Sequence, residues 1–152
     1  MLKLTEPDID DCKKIWIWRN LKKTRIITGN ERIIPWEEHV NWFKESLKNN
    51  NRILLIAKKN NISIGVVRFD EKVPKSEFEI GINIDPSEMK KGYGKKILTL
   101  SIFHIAKLYK KKINLIAKVK EDNLPSKGLF NSLGFKVLRK EKDVILYKLI
   151  VN

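Results

Sequence analysis

The chain has 152 residues and a formal net charge of +14, from 32 Lys and Arg against 18 Asp and Glu. That length suits one domain with its own core, and 42% hydrophobic with 33% charged residues excludes a disordered chain. A lone cysteine, Cys12, excludes an internal disulfide and a cysteine-based zinc site. No apolar run approaches the ~18 residues of a membrane span, and the first residues, Met1 to Pro7, hold no apolar signal core, so a cytoplasmic location without membrane partners is expected.

In chain order, Leu2-Lys3-Leu4 alternates and reads as a short strand. Asp8 is a good N-cap, and Ile9, Cys12, Ile15, Trp16 and Arg19 follow at helical spacing. Residues 21–34 show no clear period. Pro35 suits the first turn of a second helix, with Trp36, Val40, Phe43 and Leu47 on one stripe. Residues 52–57 and 62–69 read as two strands around an Asn60-Asn61 turn. Residues 77–84 alternate, with Phe78, Ile80, Ile82 and Ile84 on one face and Glu77, Glu79, Gly81 and Asn83 on the other. Next comes Met89-Lys90-Lys91-Gly92-Tyr93-Gly94-Lys95-Lys96, which runs into a helix bearing Ile97, Leu98, Ser101, Ile105 and Leu108. Residues 113–119 form a strand, residues 123–134 a short helix ended by Gly134, and residues 135–138 and 144–150 a closing hairpin. The expected architecture is α/β, a mixed sheet of about seven strands flanked by about four helices.

The charge invites a nucleic-acid reading. It is carried by 26 Lys and only 6 Arg, however, in a chain also rich in Ile and Asn. That composition matches the coding bias of an AT-rich genome, and most of these lysines are expected to form a solvated face. A small basic nucleic-acid-binding module is the non-enzyme alternative. The scarcity of Arg and the lack of a binding motif count against it, so no nucleic-acid partner is expected.

The informative junction is strand, glycine-containing loop, helix. Gly92 and Gly94 permit backbone angles and approaches that side chains block. Amides at a helix start lack intrahelical partners and lie at the positive end of the dipole, so the loop can hold a phosphate, with lysines adding charge. It is neither a Walker loop nor a full dinucleotide fingerprint, since residue 97 is Ile. About thirty residues on lies Asn123-x-x-Ser126-x-x-x-Phe130-x-x-x-Gly134-Phe135.

With the order of elements, these motifs resemble the GNAT superfamily of acetyl-CoA-dependent N-acetyltransferases over essentially the whole chain, residues 1–152. The resemblance implies that Met89, Lys90, Lys91, Gly92, Tyr93, Gly94 and Lys95 cradle the CoA pyrophosphate, with Met89 in place of the family's Arg or Gln. It implies that Ile82, Asn83 and Ile84 pair with the pantetheine arm, and that Asn123, Ser126 and Phe130 contact the cofactor. Trp18-Arg19-Asn20, Trp36-x-x-His39-x-x-Trp42-Phe43 and Ile64-Gly65-Val66-Val67-Arg68-Phe69 resemble the branch holding ribosomal-protein N-terminal acetyltransferases and the amino-sugar acetyltransferases of pseudaminic acid biosynthesis, most of all the latter. The implied acceptor is the 4-amino group of a UDP-linked 4-amino-4,6-dideoxy sugar, on the way to a nonulosonic acid for flagellin or surface glycans. Acetylation of a protein N-terminus or of a polyamine is the alternative within enzymes.

An amine acceptor must lose its proton before it attacks, so a base is needed. Glu79, Glu121 and His39 are the candidates. A main-chain amide near Ile82 would serve the developing oxyanion. The resemblance implies a tyrosine acid four residues before the Gly-Phe pair's first glycine; this chain has Phe130 there, which leaves Tyr93, Tyr109, Tyr147 or water to protonate the thiolate. Trp18, Arg19, Arg25, Trp42 and Arg68 are the substrate-side candidates, because aromatic faces stack on uracil or sugar and arginine forks match phosphate. Trp16, Trp36 and Phe43 are expected in the core, and no His, Asp or Glu spacing suits a metal. A homodimer through the closing strands or substrate-side helices is compatible with the sequence.

Overall fold

A computed structural model describes residues 1–152. The chain runs β1 (Leu2–Thr5), α1 (Ile9–Asn20), α2 (Lys22–Thr28), α3 (Trp36–Lys48), β2 (Arg52–Lys59), β3 (Ile62–Val73), β4 (Glu77–Ile84), α4 (Tyr93–Tyr109), β5 (Ile113–Lys120), α5 (Leu124–Ser132), β6 (Lys136–Glu141) and β7 (Val144–Val151). The seven strands form one sheet in the order β1-β2-β3-β4-β5-β7-β6. Neighbours are antiparallel except β4 and β5, which are parallel and joined through α4.

Side-chain alternation puts a different core on each face of the sheet. On one face Phe78, Ile80, Val67 and Phe69 meet Ile97, Leu98 and Ile105 of α4 and Phe130 of α5. On the other, Leu54, Ile56 and Val66 meet Cys12, Ile15 and Trp18 of α1 and Phe43 of α3. The start of α1 is tied to the sheet. Asp8 and Asp11 cap each other's amides reciprocally, and the second Asp11 oxygen accepts from Ser63 Oγ at 2.7 Å.

The structure has five α-helices where the sequence predicts about four. The extra one, α2, lies in the stretch without period. It spans seven residues, lacks a side-chain N-cap and buries only Thr24, so no apolar stripe marks it. Gly29, at φ +75°, ends it in the left-handed conformation that favours glycine. The tryptophans also sort differently. Trp18 is 4% exposed inside the α1–α3 core, whereas Trp36 is 42% exposed. Trp16 is half-buried, and its indole N–H donates to the Ile34 carbonyl at 2.8 Å. Trp18 is therefore a core residue, because Leu54 and Val66 rise to meet its face of α1.

Candidate functional site

The sheet opens at its centre. β4 and β5 are each eight residues long but pair only through Glu77↔Asn114, Phe78↔Leu115 and Glu79↔Ile116. The amide of Asn114 donates to the Ser76 carbonyl, and on the other side Asp85 donates to Ile64, both at 2.8 Å. Backbone groups alternate sides along a strand. Even-numbered residues of β4 therefore aim toward β5 and odd-numbered ones toward β3. Beyond the last β4–β5 pair, Ile82 and Ile84 thus present their N–H and C=O groups to the gap without a strand partner. An extended polar chain entering the gap would find those groups ready to pair.

The gap leads to the α4 N-terminus. Lys90 and Gly92 adopt positive φ, +63° and +82°, which curls the loop so that the first amides of α4 face outward. No side chain caps them. A Cβ added at Gly92 would meet nothing within 4 Å, and one at Gly94 would lie 3.3 Å from Ile84 Cδ1 and Leu129 Cδ2. The hollow is thus open at Gly92 and floored tightly at Gly94. It is a cavity of ≈ 410 Å³ walled in part by Lys23, Lys90, Tyr93, Lys95, Asn123 and Ser126. Uncapped amides at a helix start with flanking lysines fit a pyrophosphate, and the unpaired β4 edge fits an amide-bearing arm. Met89, Ile82, Asn83 and Ile84 also line this cavity.

Two cofactor-side expectations are corrected, those for Phe130 and Lys91. Phe130 does not reach the cavity: it is 4% exposed and packs edge-on to Phe135 in the core. Lys91 does not line the cavity and pairs instead with Glu88 at its wall, at 3.3 Å. Asn123 uses its side-chain oxygen to cap α5 through the Ser126 amide at 3.2 Å. That cap fixes the α5 end of the wall.

A second cavity of ≈ 300 Å³ adjoins the first, lined by Arg19, Trp42, Arg68 and Gly81 among others. Thr24, Thr28, Ile82 and Asn83 line both, so the two hollows meet at the middle of β4. The Arg19 guanidinium lies 4.7 Å from the Trp42 ring centre, and its Nη1 is 3.1 Å from His39 Nδ1. Burial, and then Arg68, pull its pKa below the ordinary arginine value, with Glu38 opposing. Arg68 stands opposite Gly81 across the β3–β4 ladder and lies over it: a Cβ there would be 3.0 Å from Nη2. Arg68 Nε is 2.8 Å from Asp70 Oδ2 without a well-aligned hydrogen bond, and Nη2 is 3.8 Å from Glu79.

The remaining candidates lie outside this cavity. His39 is 0% exposed, and both ring nitrogens are engaged, with Arg19 and with the Cys12 carbonyl at 2.7 Å. It cannot reach an acceptor proton. Arg25 donates to the Asn20 and Glu31 carbonyls and holds the α2 loop rather than lining the hollow. Trp18 is core, as above. Glu121 pairs with Lys140 at 2.7 Å on the surface. Glu79 stays near. It occupies the last paired position before the gap, on the same face of β4 as Gly81, half-buried between Arg68 and Lys118, the latter at 3.2 Å.

The split parallel pair, the glycine cradle and the twin cavities agree with the comparisons with known proteins. A family model described as an acetyltransferase (GNAT) domain matches residues 1–136. The chain belongs to the GNAT acetyltransferase family. This acetyltransferase therefore draws its acetyl group from acetyl-CoA, the donor that the cradle and the open β4 edge fit. A comparison of its sequence with curated proteins gives no match. Among solved structures it resembles a domain from Methanocaldococcus jannaschii (24% identity, TM-score 0.84, 99% of each chain). It also resembles the Campylobacter jejuni N-acetyltransferase PseH in complex with acetyl coenzyme A (21%, 0.77, 100% of each). A third is the Vibrio cholerae spermidine N-acetyltransferase in complex with CoA and spermine (14%, 0.84, 99% of this chain and 94% of that one). At these identities the likeness is one of fold.

The acetyltransferase's tyrosines divide clearly. Tyr147 is 1% exposed in the core, and Tyr109 packs on Phe78 at a ring distance of 4.9 Å. Only Tyr93 lines the cofactor cavity, with Lys59 Nζ 5.0 Å from its ring centre. Sequence reasoning missed Lys23, Thr24 and Thr28. All three come from α2, and the aperiodic stretch that hid the helix hid its site residues.

Proposed function

We propose that this acetyltransferase, acting as one catalytic unit over residues 1–152, acetylates the 4-amino group of a UDP-linked 4-amino-4,6-dideoxy sugar by direct transfer in a ternary complex. The observation that carries the reading is the pairing of Arg19 and Arg68 in a cavity contiguous with the cofactor cleft and walled by Trp42. Two guanidiniums in a half-buried hollow suit a diphosphate, and an aromatic wall suits a sugar or base. The same pair disfavours a polyamine acceptor, whose cations would meet two fixed positive charges. The fold likeness to PseH supports the sugar reading, while the likeness to the spermidine enzyme shows that the fold alone does not choose the acceptor.

Acetyl-CoA supplies the thioester acyl group. The chain's own residues do the rest. The acceptor amine enters beside Gly81 and Asn83 and must shed a proton. Glu79 is the base we assign, through a water, because it holds the last β4 position paired with β5 and lies 3.8 Å from Arg68, which lines the acceptor cavity. The Ile82 N–H, unpaired toward the gap, is the donor we assign to the developing oxyanion. Tyr93 or water returns a proton to the leaving sulfur. The cytoplasm, where acetyl-CoA and nucleotide sugars occur together, is the location we infer.

The deciding experiment measures CoA-SH release with a UDP-4-amino-sugar, spermidine and a ribosomal N-terminal peptide as acceptors. Release with the sugar alone is the expected result. Release with the peptide or spermidine, and none with the sugar, overturns the substrate assignment.

A further inference from the structure

Behind the acceptor cavity runs a hydrogen-bond chain that the proposed chemistry does not use. His39 is 0% exposed, and its Nε2 lies 2.7 Å from the Cys12 carbonyl oxygen. A carbonyl only accepts, so Nε2 carries the hydrogen. In a neutral ring Nδ1 then holds a lone pair. Arg19 Nη1 sits 3.1 Å from that atom and, having only hydrogens to offer, donates to it. The His39 ring stacks on Trp42 with centres 5.5 Å apart, and Arg19 lies over the same indole at 4.7 Å. Arg19 is thereby fixed by an imidazole and an indole, and makes no ion pair with a carboxylate; Glu38, paired with Arg32, acts on it only at longer range.

We propose that His39 is a positioning residue: its neutral Nε2–H tautomer accepts from Arg19 and holds that guanidinium toward an anionic group of the acceptor, and protonation of the ring releases it. The inference rests on the acceptor cavity assigned above. Protonation puts a hydrogen on Nδ1, removes the acceptor and sets a second positive charge against Arg19. The surroundings do not offset that charge. Arg19 comes from α1, Arg68 from β3, and Arg52 from β2 lies 5.9 Å from the Trp42 ring centre. On α3 itself, Lys44 acts near Cys12, and Glu38 is already paired with Arg32. Burial, foremost, and Arg19 hold the His39 pKa below its ordinary 6.5, against the Cys12 hydrogen bond, so the ring is neutral at pH 7.

The test joins a spectrum to kinetics on the full chain. Nitrogen-15 NMR of the two histidines, His39 and His104, assigned by loss of one signal set in H39Q, reads the tautomer directly. We expect His39 as Nε2–H with a bare Nδ1 whose shift moves in R19Q. H39L should raise KM about tenfold for an acceptor of the panel that carries an anionic group, the size of one lost charge-assisted hydrogen bond. Its kcat and acetyl-CoA affinity should stay near those of the parent. H39Q, whose amide supplies both an N–H donor group and a carbonyl acceptor, should restore most of the loss. The parent's KM should rise as pH falls through a point below the ordinary imidazole pKa of about 6.5, and the H39Q profile should stay flat there. An Nδ1–H tautomer, or a folded H39L with unchanged KM, overturns the proposal. If the sugar is not a substrate but the tautomer, the R19Q response and the KM effect on the peptide, with its carboxylate, hold, the acceptor assignment fails and the positioning role stands.

Discussion

Glu79 occupies the one position of β4 where pairing with β5 ends and the gap begins. Its neighbours are cations, Lys118 at 3.2 Å and Arg68 at 3.8 Å. Glu79→Gln keeps the shape and removes the base. It should lower turnover about a hundredfold, the low end of general-base contributions, with acetyl-CoA affinity unchanged by titration calorimetry. Unchanged turnover would remove Glu79 from the mechanism. Trp18 is the contrasting case. Its side chain fills the α1–α3 core, so Trp18→Ala should cost about 3–5 kcal/mol of stability, read by denaturant melting, and leave the acceptor KM of the folded fraction intact. His39 also links pH to stability. Its folded pKa is depressed by burial, so the unfolded chain binds the extra proton more readily. That stability is fully present above the ordinary imidazole pKa of about 6.5 and declines as pH falls below it. The decline should be absent in H39Q when melting temperatures are compared across pH.

At the scale of elements, two glycines separate backbone from side-chain effects. Gly92 stands at φ +82° with free space around it. Gly92→Ala therefore meets no clash and carries only the left-handed backbone penalty, about 1–2 kcal/mol. Its melting temperature without ligand should fall accordingly. Gly81 has an ordinary strand backbone but supports Arg68, whose Nη2 would lie 3.0 Å from a new Cβ. Gly81→Ala should displace that guanidinium, raising the acceptor KM several-fold at constant acetyl-CoA affinity. An unchanged KM would show that Arg68 does not contact the acceptor. The α2 helix shows why this scale is hard to read in a sequence. Its seven residues are too few to display a period, and β-branched Ile26, Ile27 and Thr28 weaken its local signal. Its Gly29 cap and the cavity wall it supplies are tertiary facts. By contrast, the alternation of residues 77–84 was readable because one face of β4 is core and the other lines the acceptor hollow.

For the whole molecule, the charge of +14 divides into few working parts and a large solvated remainder. Lys23, Lys90 and Lys95 stand at the cofactor cavity, and Arg19 and Arg68 at the acceptor cavity. Acetyl-CoA binding should therefore weaken as salt rises. Saturating acetyl-CoA, at about 100 times its dissociation constant, should stabilise the fold by about 2.7 kcal/mol, visible as a raised melting temperature. No such rise at any concentration would exclude the assigned cradle. What the sequence determined by itself is local. Local patterning placed all seven strands with their ends within about four residues and the long helices with them, and the Gly92-Tyr93-Gly94 spacing before a helix marked the cradle. The tertiary structure alone decided which tryptophan is core, that His39 serves Arg19 rather than the acceptor, that Phe130 lies beneath the cleft, and that α2 walls it. Spacing reports which residues share one face of one element. Burial and hydrogen-bond partners depend on which faces of different elements meet, and no single stretch of sequence carries that information.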